Sequence, residues 1–165
     1  MRKTLIILLS ILVGIYVVLS FLDRGGYYGA ERKIYKINRM YSAFAKDPKA
    51  VPDVQVQRIL NEYQDFIDEY PDLKLASLAY VLRARVMTIQ KDFDGAKNEI
   101  TAMIEKFSDH PRFQVQGLIE LAQINAIAGN KQGIVDSYAR LIKEFPLTPE
   151  GCKPADLTKA ARPCP

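Results

Sequence analysis

A predicted helical hairpin occupies LKLASLAYVLRARVMTIQKDFDGAKNEITAMIEKFS, residues 73–108. The apolar spacing favours two helices, Leu73–Lys91 and Phe93–Phe107, with a short polar break between them. Ala84 and Ala96 lie in mid-helix, where small side chains allow two helices to approach closely. The stretch therefore predicts a closely packed antiparallel pair.

This hairpin ends with a pattern that occurs three times in the chain. The three copies are Tyr63-x-x-Phe66-Ile67-x-x-Tyr70-Pro71, Ile100-x-x-Met103-Ile104-x-x-Phe107-Ser108 and Tyr138-x-x-Leu141-Ile142-x-x-Phe145-Pro146. The copies are 37 and then 38 residues apart. A fixed period of this length is typical of stacked hairpins, in which neighbouring repeats bury a continuous core.

The remaining sequence outside the N-terminal segment is also helical in pattern. We expect helices at Gly29–Lys46, from an N-cap at Asp53 to Tyr70, at Pro111–Ala128 and at Lys131–Phe145. No segment alternates apolar and polar residues as a strand does. The predicted fold class is all-α.

In two of the predicted hairpins, the first of the two helices contains a spacing of residues that is known from a repeat family. They contain Tyr80-x-x-Arg83-Ala84-x-x-Met87 and Leu118-x-x-Leu121-Ala122-x-x-Asn125. The pattern resembles the tetratricopeptide repeat (TPR) over Leu73–Glu150, with a partial first unit at Val54–Pro71. Arg83 and Asn125 depart from the family's apolar residues, and Gly133-Ile134 replaces its usual small residue. The resemblance implies a solenoid of about three hairpins. In its layout, an apolar N-terminal segment followed by repeats, the chain also looks like the bacterial membrane-anchored repeat proteins that assist the secretion translocon or envelope assembly.

The N-terminal segment Thr4–Leu22 contains no charged residue and follows Arg2-Lys3. At the helical rise of 1.5 Å per residue it spans about 28 Å, close to the bilayer's hydrocarbon thickness. We expect an uncleaved, single-pass membrane anchor. There are two alternatives. One is a cleaved signal peptide, although the apolar stretch is long and no Ala-x-Ala site follows it. The other is a buried core helix.

The charges flanking this segment favour a cytoplasmic N-terminus, because Asp23 offsets Arg24 on the far side. The opposite orientation stays open, since further basic residues follow within about twenty positions. The two cysteines, Cys152 and Cys164, lie together near the C-terminus, which suits an oxidising compartment. We therefore expect a bacterial inner-membrane protein whose C-terminal domain is periplasmic.

The expected layout has four parts. They are a tail and anchor at 1–22, a glycine-containing hinge at 23–30, a TPR-like domain at 31–150 and a Pro-rich tail at 151–165. In the tail, Cys152 and Cys164 could form a disulfide and fasten a short helix over the last hairpin. Two free thiols are the alternative.

Little in the chain predicts catalysis. Carboxylates such as Glu62, Asp65, Asp68 and Glu69 fall on the polar side of one helix, without a convergent pocket. His110, the one histidine, lies in an inter-helix turn with no Cys or second His near it. The net charge is only +4, and basic residues are interleaved with acidic ones along the chain. This pattern does not suggest nucleic-acid binding. We expect no enzyme activity, catalytic residue, cofactor or metal.

The concave side of such a solenoid, formed by the first helix of each pair, is the predicted partner-binding face. Its residues are Leu78, Val81, Arg85, Ile89, Gln116, Ile119, Gln123 and Ile127. This mixture of apolar, amide and cationic side chains suits an extended peptide or a partner helix. The alternative is that the helix Gly29–Lys46 packs there and covers the face.

The leading hypothesis is a membrane-anchored scaffold or accessory protein of a membrane or cell-envelope complex. Its partners would be that complex, a peptide or helix of a partner protein, and the lipid bilayer through residues 4–22. The second hypothesis is a dedicated structural subunit of one respiratory or photosynthetic complex, without client binding.

Overall fold

The computed structural model describes the backbone of residues 2–146, and the side chains of 12–14 and 26–146. Six α-helices and short connections account for all of these residues, so the fold is all-α. The helices are α1 (Arg2–Lys46), α2 (Asp53–Glu69), α3 (Lys74–Ile89), α4 (Phe93–Lys106), α5 (Pro111–Ile127) and α6 (Lys131–Glu144). Consecutive helices pack against one another, and α1 and α5 also contact α3.

The first helix differs from its prediction. We expected a hinge at 23–30, but α1 is helical through Gly25, Gly26 and Gly29 and ends only at Lys46. Within the described residues, no helix combines the length and apolarity needed to cross a bilayer. The side chains of Thr4 and Leu22 lie outside the described residues, so the anchor stays a prediction.

The beginning of α2 also differs from its prediction. Pro52, in an extended conformation, occupies the N-cap position, and Asp53 is the first helical residue. Asp53 therefore does not cap the helix with its side chain, although its carboxylate still lies in the first turn, where the helix dipole favours negative charge.

Two groups of buried side chains hold the helices together. The first joins α1, α2 and α3: Ala30, Ile34, Ile37, Phe44, Val56, Ile59, Leu60, Tyr63, Phe66, Ile67, Ala79, Leu82 and Val86. The second joins α3, α4, α5 and α6: Ala76, Val81, Ala84, Ala96, Ile100, Met103, Ile104, Phe107, Val115, Leu118, Ile124 and Leu141. Because α3 contributes to both groups, it connects the two halves of the domain.

The pairs α3–α4 and α5–α6 repeat one another at a spacing of 38 residues. Asp92 and Asn130 are equivalent N-caps, and each side chain accepts a hydrogen bond of 3.0 Å from the backbone N–H three residues later. The residue before each cap has a positive φ, 66° at Lys91 and 74° at Gly129. The sequence period is therefore a structural period, repeated in turn geometry as well as in apolar residues.

The departure at Gly133 has a packing reason. A Cβ atom at this position would clash with Oδ1 of Asn125 and with Nδ2 of the cap residue Asn130. That amide is buried and bonded at both ends, since its Nδ2 donates to the Leu121 carbonyl and its Oδ1 accepts from Asn130. Asn125 and Gly133 are thus complementary, because the glycine leaves room for the buried amide.

The C-terminal tail lies outside the described residues. Nothing is therefore observed of the segment 151–165, of the short helix expected there, or of Cys152 and Cys164.

Replacing Lys91 by glycine should stabilise the fold. A left-handed conformation costs a residue with a Cβ roughly 1–2 kcal/mol, and glycine avoids this at some entropic cost in the unfolded chain. We expect Lys91→Gly to raise the free energy of unfolding by about 0.5–1 kcal/mol, measured by urea titration of the intact chain in detergent. The matched change Gly129→Ala should lower it by about 1 kcal/mol. A loss of stability in Lys91→Gly would show that the turn does not require a positive φ.

Candidate partner-binding face

The predicted face falls on two helices that lie side by side. Its eight residues come from α3 and α5, which contact each other across the α3–α4 hairpin. We call the accessible ones the α3–α5 face: Leu78, Arg85, Ile89, Gln116, Ile119, Gln123 and Ile127. The 38-residue spacing places Leu78 and Gln116 at equivalent positions, as it does Arg85 and Gln123, and Ile89 and Ile127.

Val81 does not belong to this face. It is 1% exposed and packs in the second core, so a partner could not reach it without opening that core. Leu78 and Ile119 are half-buried and pack against the first and second cores respectively. Gln116 is also half-buried.

Four of the predicted residues are exposed: Arg85, Ile89, Gln123 and Ile127. Ile127 is 66% exposed and Ile89 is 37% exposed. The exposed part of the face therefore lies toward the C-terminal ends of α3 and α5.

Arg85 forms a two-bond ion pair with Glu120 of α5. Its Nε donates to Oε2 at 3.1 Å, and its Nη2 donates to Oε1. The Glu120 side chain is 7% exposed whereas that of Arg85 is 45% exposed. The guanidinium thus partners a buried carboxylate while it keeps one side open to solvent, a geometry that fixes its position.

The electrostatics of Arg85 follow from this arrangement. Hydrogen bonding to Glu120 raises the pKa of the guanidinium above its ordinary value, and burial opposes that shift. The phenol of Tyr41, on α1, makes a smaller contribution in the same direction as Glu120. Side chains of α1, α3 and α5 therefore act on one another at Arg85, whose guanidinium keeps its positive charge at physiological pH.

The expected alternative, in which Gly29–Lys46 covers the face, applies to part of it. The C-terminal part of α1 packs on α2 and on the α3 residues Ala79, Leu82 and Val86. The first core formed there includes half-buried Leu78 but leaves Arg85 and Ile89 exposed. Packing by α1 therefore covers one side of α3, from Leu78 to Val86, and leaves the Arg85 and Ile89 side chains accessible.

The residues considered for chemistry lie apart from this face. His110 stands before α5, with its ring 5.7 Å from that of Phe113 and 6.4 Å from that of Phe107. Asp65, Asp68 and Glu69 are exposed on α2. No group of three His, Cys, Asp or Glu side chains that could hold a metal ion occurs among the described residues.

Sequence reasoning missed the two ion pairs that α3 forms with α4 and α5. Glu120, the only acidic residue of α5, was not singled out, although an acidic residue in a largely apolar helix is a usable signal. Arg83 was noted only as a departure from the TPR pattern. In the structure it pairs with Glu99 of α4, and both side chains are largely buried.

Compared with known proteins, the chain matches no family model, no curated protein and no solved structure.

The Arg85–Glu120 pair should stabilise the fold more than a surface pair does. Arg85→Met keeps the apolar stem but leaves a buried carboxylate without its partner, which costs about 1–3 kcal/mol. The control is Arg140→Met, which breaks the exposed Arg140–Glu144 pair within α6 and should cost less than about 0.5 kcal/mol. Urea titration monitored by circular dichroism measures both.

Adding Glu120→Gln to Arg85→Met should recover most of the lost stability, because the buried charge is then removed as well. Equal and small effects of Arg85→Met and Arg140→Met would contradict the account of a buried partner.

Proposed function

We propose that this chain is a membrane-anchored, TPR-like scaffold that holds a partner protein on its α3–α5 face within a membrane or cell-envelope complex. The observation that carries the proposal is the pair of exposed isoleucines, Ile89 and Ile127. They occupy equivalent positions in successive repeats, beside the exposed polar side chains of Arg85 and Gln123.

The chemistry of this face indicates the class of partner. Two isoleucines would contribute apolar contact area. Burial of a wholly exposed isoleucine is worth about 1.5–3 kcal/mol, and Ile127 and Ile89 can gain only the share that corresponds to their 66% and 37% exposure. Gln123 can donate and accept hydrogen bonds, and the outer side of Arg85 can contact an acidic group. An extended peptide or a helix with apolar residues next to an acidic or amide side chain fits this arrangement.

The TPR-like interpretation is supported by the 38-residue repeat of α3–α4 and α5–α6. The pair α1–α2 would supply a third hairpin, since the C-terminal part of α1 packs on α2 and α3 as a first helix would. The face then consists of the first helices, as in the repeat family the sequence resembles.

The membrane part of the proposal rests on the sequence. Thr4–Leu22 has no charge and the length of a membrane span. We propose that it is an uncleaved anchor in a bacterial inner membrane and that the helical domain is periplasmic. The Arg2-Lys3 flank and the two tail cysteines support this orientation. The proposed protein is not an enzyme and uses no cofactor.

One observation favours the second candidate, a dedicated structural subunit of a respiratory or photosynthetic complex. Because α1 continues without a break from Arg2 to Lys46, it would join anchor and domain in one rigid element. In that case, replacing residues 4–22 with an unrelated membrane span should disrupt association with the complex, whereas substitutions on the α3–α5 face should not.

The double variant Ile89→Glu/Ile127→Glu tests the scaffold proposal. The full chain and the variant are purified from their native membrane in mild detergent, and co-purifying proteins are quantified by mass spectrometry. We expect at least a tenfold loss of one stoichiometric partner, because charge replaces buried apolar area.

The matched control is Ala102→Glu, which adds one charge at an exposed position of α4 and should keep the partner. If the double variant remains folded and retains every partner of the wild type, the α3–α5 face is not the binding surface.

A further inference from the structure

The two helices at the N-terminal end of the domain carry opposite charges. Between Ala30 and Lys46, α1 has five basic residues and one acidic residue. The neighbouring α2 has five acidic residues and one basic residue. A solvated surface usually mixes both signs on each element, so this separation is a distinct feature of the end of the domain.

The basic residues of α1 form a row on its outer side. Arg32, Lys36 and Arg39 are exposed and follow the i, i+4, i+7 spacing of one helical face, opposite buried Ile34 and Ile37. None of the three basic side chains forms an ion pair with another described residue.

The acidic residues of α2 face outward in the same way. Asp65 and Asp68 lie on the side opposite buried Val56, Tyr63 and Ile67. Asp65 has no ion-pair partner among the described residues, and Asp68 accepts one hydrogen bond from Gln64 of its own helix.

The two helices run antiparallel, and two side-chain contacts fix their register. Lys33 pairs with Glu69, and the hydroxyl of Tyr63 donates to Asn38 at 3.0 Å. In this register, Lys36 lies at the same height along the helix axis as Asp65. In the same register, Arg32 lies at about the height of Glu69 along the helix axis, and Arg39 at about the height of Glu62.

We propose that two copies of this chain form a symmetric dimer through the outer faces of α1 and α2, with the two-fold axis parallel to α1. Rotation about such an axis leaves every residue at its own height. The α1 of each protomer can then lie against the α2 of the other. The dimer therefore contains two equivalent contacts, each between Lys36 of one protomer and Asp65 of the other. This contact uses no residue of the α3–α5 face and does not depend on what binds there.

Two physical arguments favour a second copy over a lipid surface. The matched heights make the two faces of the chain complementary to each other. If Thr4–Leu22 spans a bilayer, Lys36 lies about 21 Å and Arg39 about 25 Å along α1 beyond Leu22. Anionic headgroups occupy only about 5–8 Å outside the hydrocarbon, and the Debye length is about 8 Å.

The direction of the axis agrees with the proposed anchor. Two chains inserted in one membrane in the same orientation can be related by a two-fold axis only when that axis is parallel to the membrane normal. If α1 leaves the membrane along the membrane normal and stays straight, an axis parallel to α1 is also parallel to the normal. The axis that brings Lys36 opposite Asp65 therefore also lets both chains insert in the same orientation.

Charge reversal tests the dimer. Full-length Lys36→Glu and full-length Asp65→Lys are each purified in detergent, and their protein mass is measured by size exclusion with light scattering. Each reversal replaces two attractive contacts by two repulsive ones, so we expect the dimer dissociation constant to rise at least about tenfold. The control is Lys143→Glu, at an exposed position of α6, which should leave the wild-type dimer unchanged.

Mixing the two variants is the decisive step. A mixed dimer has an opposite-charge pair at both contacts, so the two self-repelling chains should form a heterodimer with wild-type affinity. Differently tagged chains allow its detection by native mass spectrometry. The wild-type dimer should also weaken as salt rises from 50 to 500 mM, because added salt shortens the Debye length from roughly 14 Å to roughly 4 Å and so screens exposed ion pairs more strongly.

A monomeric wild type, both in detergent and in lipid nanodiscs, overturns the proposal. So does a Lys36→Glu chain that dimerises as the wild type does, or a mixture without heterodimer. Binding of a different protein that Lys36→Glu abolishes, in a wild type that stays monomeric, would assign the face to that protein instead. If either variant does not fold, Arg39→Glu replaces it in the dissociation measurement.

Discussion

The packing of α1 into the first core is the constraint on which the rest of the structure depends. Ile34, Ile37 and Phe44 are buried against α2 and α3, around Tyr63, which has no exposed surface. The hydroxyl of Tyr63 donates a hydrogen bond to Asn38, and burial raises the pKa of the phenol. The helix that leads from the N-terminus is therefore also a structural helix of the domain.

This constraint explains where sequence reasoning about α1 went wrong. Two adjacent glycines after an apolar segment suggest a break, because each glycine costs about 1 kcal/mol in a helix. The structure continues the helix through Gly25 and Gly26 and packs its C-terminal part from Ala30 onward. Tertiary packing of that part is not visible in local propensity, and it can offset the local cost. Asp53 was misplaced by one residue for a similar reason, since Pro52 sets the extended entry.

The repeat could be predicted because its signals are local. Aromatic helix ends, a cap such as Asp92 and a turn at Gly129 are all short-range features, and the helix ends fall within two residues of those expected from α3 to α6. For the predicted partner-binding face, periodicity does not give the degree of burial, so Val81 was included although it lies in the core. The partner of Arg85 was missed, because Glu120 is 35 residues away and only the stacking of α5 on α3 brings it near.

Hydrogen exchange of the backbone amides at residues 23–30 is the most direct test of this account. The full chain in lipid nanodiscs would be compared with the same chain unfolded in urea, by mass spectrometry of short peptides. A continuous α1 predicts that these amides, like those of 34–44, exchange at least about a hundredfold more slowly than in the unfolded chain. Exchange near the unfolded rate at 23–30, with protection retained at 34–44, would mean that the domain is tethered flexibly and that α1 does not join it rigidly to the segment before it.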